Sequence, residues 1–474
     1  MSPRQRRPLA LLAVALGTFM TYLDNNVVNV AIPTIERALH LSESGIEWVV
    51  SSYILVFAGL LLAGGRLADV VGRRRLFSGG LVLFTLASML AGAAPNAAVL
   101  ITGRALQGLG AAMLTPTTLA IVTATYEEPA ERDRAIGIWG AVGALALAVG
   151  PVIGGSLAEH VSWHWIFFLN GPVGVITLAL GLWAIPADTA ERARHLDWRG
   201  VATSAVALLA LTFALIEGER NGWSSAPILA AFAVTALAGA AFLAVERRVE
   251  DPMIELSLFS DRRFSGALVA LMLWAFGLFG IYFFTSLYLQ DVLSFSPTVA
   301  GAAFVPMALL MAVGATVSDR VSARLGVQRV VGAAMVAMAL GIVSVSLLGP
   351  HASFAELMPG FAIIGIGGGL TIPLTSVVAG TMAPERAGVA SAIFNASREV
   401  AGLLGITVIG VVLVARQSAA AHLGTAPVTA FLDGYRLGLV VAGALVAAGG
   451  LVAWSTLPSR AAGAGRVAAA GLAA

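Results

Sequence analysis

Apolar runs of about 20 residues, repeated from one end of the chain to the other, constrain this sequence more than any other feature. A helix of ~20 predominantly apolar residues crosses a bilayer core about 30 Å thick. Runs bounded by charged or Pro- and Gly-rich breaks lie at 9–32, 46–64, 77–94, 98–123, 135–157, 166–185, 200–216, 226–245, 265–289, 299–317, 330–348, 355–378, 388–414 and 436–456, fourteen candidate spans. Only 11% of the 474 residues are charged, where a soluble chain carries about 25%. Such a chain cannot clothe itself in polar surface, so lipid is its solvent and its class is all-α integral membrane. The basic head and apolar stretch at the start resemble a secretory signal, but the run continues to Ile32 without a small-residue cleavage site. It reads as an uncleaved first span.

All 28 residues of the Lys-plus-Arg total are Arg, and there is no Cys. A Walker phosphate loop and a Schiff base both need a Lys, so neither chemistry is available. Disulfides and thiolate metal sites are excluded as well. With the N-terminus in the cytoplasm, 22 Arg fall in cytoplasmic segments, four (Arg37, Arg220, Arg416 and Arg436) outside, and Arg104 and Arg398 within spans. This positive-inside bias places both termini in the cytoplasm and supports fourteen spans. His160 and His164 have i, i+4 spacing with Glu159 beside them, but the Trp-rich segment reads as an interfacial loop, and no metal site is expected.

The chain repeats itself weakly. Gly108, Gly110 and Pro116 recur at an offset of 257 as Gly365, Gly367 and Pro373, and Asp69 in GGRLADVVGRRR recurs as Asp319 in GATVSDRVSARLG. The expected organisation is a six-helix half at 1–185, two inserted helices with their loops at 186–250, a second six-helix half at 251–458, and a cytoplasmic tail at 459–474. Two like halves facing one another suit alternating access about a central site, although a repeat can also be purely structural.

Several ordered motifs resemble the major facilitator superfamily, and within it the fourteen-span drug:proton antiporters. GRLADVVGRRR resembles the superfamily's signature between spans two and three, with Val70 where Arg is usual. LDNNVVNVAIP (23–33) is similar to the first-span motif, with Asn26 as a departure, and RALQGLG (104–110) to the fourth-span motif. GPVIGG (150–155) resembles the fifth-span antiporter motif. SWHWIFFLNGP (162–172), with His164 where Arg is common, and LDWRG (196–200) resemble fourteen-span signatures. The resemblance implies proton-coupled export of amphipathic, cationic drugs from a bacterial cytoplasm by a monomer. Protons and membrane lipids are the other partners, with no nucleic acid, no cofactor beyond the proton and no enzymatic step. A dedicated exporter of one endogenous metabolite or self-made antibiotic carries the same motifs, and a non-transporting membrane sensor is a further reading.

Individual residues carry their own physical arguments. A lone carboxylate in hydrocarbon costs about 2.5–3.5 kcal/mol on insertion scales, so Asp24 faces the protein interior or a water-filled cavity. It is either a proton carrier, for which a substrate cation competes, or a carboxylate held by Arg104. Asp24→Asn is expected to abolish coupling and leave folding largely intact. Arg104 cannot deprotonate and needs partners; the resemblance gives it a part in proton coupling, and a buried structural hub is the alternative. Arg398 and Glu399 are neighbours, about 100° apart on a helix, so they are not expected simply to satisfy each other side by side and at least one should face the cavity; a pairing near the bilayer interface is the alternative. Glu399 is the second candidate for proton or cation binding; Asn25, Asn29 and Arg398 are secondary ones. Asp69, Arg73, Arg74 and Arg75, framed by Gly65 and Gly72, form a candidate latch making ion pairs across the halves in one state only, or a loop that serves orientation by positive charge alone, and the two readings are compatible. Asp69→Asn should impair switching without altering substrate range. Gly140, Gly143, Gly150, Pro151, Gly154 and Gly155 give the fifth span a thin, bent face that serves as a seal or as ordinary tight packing. Tyr53, Phe57, Trp139, Trp274, Phe276, Phe283, Phe284, Tyr288, Met307 and Met311 suit a broad pocket, although most are expected to pack or face lipid.

Overall fold

A computed structural model describes residues 3–41, 43–186, 197–249, 252, 254–382, 387–422 and 426–459. Among them the regular structure is helical. Seventeen α-helices run in order: α1 (Pro3–Leu39), α2 (Glu43–Val71), α3 (Arg73–Gly92), α4 (Ala97–Thr125), α5 (Pro129–His160), α6 (His164–Phe168), α7 (Asn170–Ala184), α8 (Trp198–Asn221), α9 (Ala226–Glu246), α10 (Arg262–Leu287), α11 (Pro297–Ala303), α12 (Val305–Leu325), α13 (Val327–Ser346), α14 (Phe354–Leu370), α15 (Pro373–Gly380), α16 (Ala387–His422) and α17 (Pro427–Thr456). Thirteen stretches among the described residues are long and apolar enough to cross a membrane. The expected span 135–157 lies within α5, which is 32 residues long and is not one of those thirteen. Outward-facing Leu86, Leu237, Leu347 and Leu451 are 62–74% exposed, a surface suited to lipid rather than water.

Short polar signals start the helices. Asn96 accepts from the Val99 amide at 3.1 Å to open α4. The Asp197 carboxylate takes the amides of Arg199 and Gly200 at the head of α8, and Ser353 with Glu356 forms a capping box on α14. Several runs read as single spans are broken. The α14–α15 break precedes Pro373, whose ring removes an amide and crowds the preceding turn. Gly72 at φ 103° and Gly326 at φ 87° form the one-residue links between α2 and α3 and between α12 and α13. A side chain rarely tolerates that backbone, and both links lie in the repeated loop.

Helices α1–α7 pack mainly on one another, as do α10–α17. The two groups meet where α5 touches α11 and α12, and where α16 touches α2 and α4. Helix α8 bridges this seam by packing on α2 and α16, and α9 packs on α8.

Candidate functional site

Asp24 is 2% exposed and fully engaged. Arg104 Nη1 donates to its Oδ2, while Gln107 Nε2 and Asn170 Nδ2 each donate to Oδ1 at 2.9 Å. Arg104 also donates to the Val49 carbonyl at 3.1 Å and to Gln107 Oε1 at 3.0 Å, and it lies 4.5 Å over the Tyr53 ring. Asn170 extends the network to Ser88 Oγ at 3.0 Å. The expected pairing partner of Arg104 is therefore Asp24. Two expectations change. In this conformation Asp24 does not line the central cavity: Tyr22 does, and Asp24, two residues on and about 200° around the helix, points away into α4 and α7, so a cation in that cavity would not touch its carboxylate. Intact folding of Asp24→Asn is not expected either, because the substitution leaves a buried guanidinium without its counter-charge.

The cavity holds about 80 Å³. Tyr22 and Trp139 line it from α1 and α5; Trp274, Met311, Phe394 and Arg398 line it from α10, α12 and α16. Arg398 thus faces the cavity, as one of the adjacent pair was expected to. The expectation that the pair would not satisfy itself fails: Arg398 Nη2 lies 2.7 Å, and Nε 3.3 Å, from Glu399 Oε1. A long side chain with five donors can fold back across 100° of helix, and burial rewards the contact. The guanidinium also sits 4.9 Å above the Tyr22 ring. Of the other aromatic and Met candidates, Phe283 is 44% exposed, while Phe57, Phe276, Phe284, Tyr288 and Met307 are buried in packing.

The candidate latch makes a contact that the sequence reading did not include. Among the described residues Asp69 makes no ion pair across the halves. It accepts the Gly388 amide at 2.9 Å and the Val389 amide at 3.0 Å, the free donors of the first turn of α16. A helix N-terminus attracts a carboxylate through its unpaired amides and dipole, a contact worth about 0.3–2 kcal/mol. Arg66 and Arg73 lie within electrostatic range of Asp69, Arg74 donates to the Leu182 carbonyl in its own half, and Arg75 is exposed. Gly65 permits the approach: a Cβ there would meet the Ala392 side chain and lie 2.6 Å from the Gly388 carbonyl oxygen. In α5, burial pushes the Asp133 carboxyl above the ordinary range.

The sequence matches the Major Facilitator Superfamily over residues 14–406. The chain belongs to this superfamily. It is 36% identical to the puromycin resistance protein pur8 of Streptomyces alboniger, covering 93% of this chain and 88% of that one. Identity is 37% to the multidrug resistance protein Stp of Mycobacterium tuberculosis, over 87% of this chain and 76% of that protein. It is 36% to a methylenomycin A resistance protein of Streptomyces coelicolor, over 85% and 84%. The crystal structure of the human organic anion transporter MFSD10 shares the fold with a TM-score of 0.67 at 16% identity, covering 96% of this chain and all of that one.

In this facilitator the glycines of α5 serve close packing on α1, the helix of Asp24. A Cβ on Gly154 would lie 2.8 Å from the Val27 carbonyl oxygen and 3.0 Å from its Cα, and one on Gly150 would lie 2.9 Å from Asn26 Cβ. Gly155 is buried; Gly143 lines the cavity, and Gly140 faces Ile372 across the seam. Gly154→Leu should cost about 1–3 kcal/mol through overpacking against backbone, read as a lowered unfolding temperature in detergent. If α5 is also a seal, proteoliposomes carrying the variant will leak protons to an internal pH dye; an unchanged leak reduces the motif to packing. The side chains of Asn25, Asn29 and Pro151 lie outside the described residues. His164 Nδ1 meets the Gly92 carbonyl at 2.6 Å, and His160 Nδ1 the Ser156 carbonyl at 3.2 Å, so each imidazole already has a backbone partner. Sequence reasoning missed Tyr22 and Gly388, and did not assign Gln107 or Asn170 to Asp24. The latter two lay inside quoted motifs, but only packing brings α4 and α7 to the same carboxylate.

Proposed function

We propose that this chain is a proton-coupled antiporter that exports amphipathic, cationic small molecules across a bacterial cytoplasmic membrane by alternating access. It acts as a monomeric carrier without a catalytic step, with fourteen spans and both termini in the cytoplasm. The observation that carries the reading is the cavity shared by residues from both ends of the chain, with the Asp24–Arg104 pair behind it in one half and the Arg398–Glu399 pair at its wall in the other. Drug-sized ligands fill pockets of about 300–1,000 Å³, so the halves must part for one to enter. A proton on Asp24 would loosen its hold on Arg104 and so link protonation to the packing of α1 on α4. The membrane potential drives each charge with about 2.3 kcal/mol per 100 mV, to which a pH gradient adds. The drug-resistance names of the relatives support a drug-exporting role.

Proteoliposomes with an imposed pH gradient, offered a panel of cationic dyes, test the reading. Gradient-dependent movement of several dyes is expected. A second reading, dedicated export of one metabolite or antibiotic, is favoured by relatives named for single antibiotics. Movement of one compound class and of no other would select it.

A further inference from the structure

The cavity described above is built like a seat for a cation, and a cation already sits in it. Aromatic rings from four helices face it, and the Glu399 carboxylate lies behind it, in contact with the one charged group that lines it. Yet its volume of about 80 Å³ leaves no room for a drug-sized guest. The group that fills the seat is the guanidinium of Arg398. It lies 4.9 Å over the Tyr22 ring, makes a 2.7 Å contact with Glu399, and is the one charged side chain among the described residues that line the cavity. A ring face and a carboxylate are the two groups that would also hold an organic cation.

We propose that Arg398 is an internal competitor for the exported cation, occupying the Tyr22–Glu399 seat until a substrate cation displaces it. The inference rests on the export reading above and adds to it the residue that sets affinity and discrimination. Its geometry suits alternation. Arg398, Glu399 and Trp274 belong to α16 and α10 and keep their mutual positions when the halves move as bodies, whereas Tyr22 belongs to α1. Parting the halves takes the ring from the guanidinium and opens the seat. A weakly charged or neutral molecule gains nothing from displacing Arg398, whereas a delocalised aromatic cation recovers both contacts.

Binding to the purified full-length protein tests this without any gradient, using two xanthene dyes of opposite charge: rhodamine 123 as cation and fluorescein as anion. Fluorescence anisotropy should show Arg398→Gln binding rhodamine 123 about tenfold more tightly than wild type, the scale of one desolvated cation–aromatic contact. Arg398→Lys, which keeps a tethered cation, should stay near wild type. Adding Glu399→Gln to Arg398→Gln should cancel the gain, and fluorescein affinity should not rise in any variant. Tyr22→Leu in the wild-type background removes the ring from competitor and substrate alike and should change rhodamine 123 binding little, whereas added to Arg398→Gln it should cancel most of the gain. Arg398→Met gives the same comparison, so the inference does not depend on Arg398→Gln folding. Equal or weaker rhodamine 123 binding by monodisperse Arg398→Gln or Arg398→Met overturns the proposal, as does a gain that survives Tyr22→Leu. So does a wild type that prefers fluorescein and loses it on Arg398→Gln, because Arg398 would then hold an anionic substrate directly. The two readings fail separately. A tenfold gain without gradient-driven transport rejects only export, and transport without the gain rejects only the seat.

Discussion

Asp24→Asn abolishes pH-gradient-driven dye movement and lowers the stability of the protein by about 3–5 kcal/mol, the usual cost of stripping a buried charge of its partner. The size follows from the site. Arg104 is fully buried, with its Nη1 shared between Asp24 and Gln107 and its face on Tyr53. An amide can still accept a hydrogen bond there but cannot neutralise the guanidinium. Lost transport in the single variant therefore mixes coupling with folding. The double variant Asp24→Asn/Arg104→Gln separates them, because removing both charges restores most of the unfolding temperature while leaving the site without a proton-binding group. Thermal unfolding in detergent and dye transport in proteoliposomes, measured on all three proteins, give the answer. Gradient-driven transport by the stable double variant would remove Asp24 from the coupling mechanism.

Gly65→Leu holds open the side of the molecule that carries the Gly72 and Gly326 turns and reduces transport by about 100-fold or more. The side chain cannot be seated without driving α2 from α16, because the nearest obstacle besides Ala392 is the Gly388 backbone. That displacement also pulls Asp69 from the Gly388 and Val389 amides. Losing the contact alone, as in Asp69→Asn, removes only about 0.3–2 kcal/mol, so the wedge should exceed the charge change in effect. The absence of cysteine from the chain supplies the measurement. A single cysteine at Ala144, which lines the cavity, is the one thiol available to a membrane-impermeant reagent. Faster labelling from the turn side in Gly65→Leu than in the parent is expected. Equal rates would mean that the α2–α16 crossing does not gate the cavity.

The all-helical membrane class and the family motifs were legible in the linear sequence because each rests on a local rule. Apolar run length answers to bilayer thickness. That the repeated loop turns on a single glycine was not read there; Gly72 and Gly326 take that place because backbone sterics at positive φ favour glycine. The split of the run 355–378 into α14 and α15 was not visible in run length, because the apolar character continues unbroken across Pro373. The sites were legible only in part. That Asp24, Arg104 and Arg398 must be special followed from the cost of charge in hydrocarbon, and Asp69 stood out through its recurrence as Asp319 in the repeated loop.

What each charge faces was a matter of tertiary packing. Asp24 and Tyr22 lie two residues apart and point to opposite sides of α1, one into a closed polar network and the other into the cavity. Arg398 folds onto its own neighbour because burial leaves few other partners. Asp69 finds a helix terminus 319 residues away in addition to the Arg66 and Arg73 charges of its own loop. Spacing along a helix determines which residues share a face. It does not determine which helix that face will meet, and in this protein the identity of the opposing helix decides whether a charge meets a helix terminus, a closed polar network or a cavity.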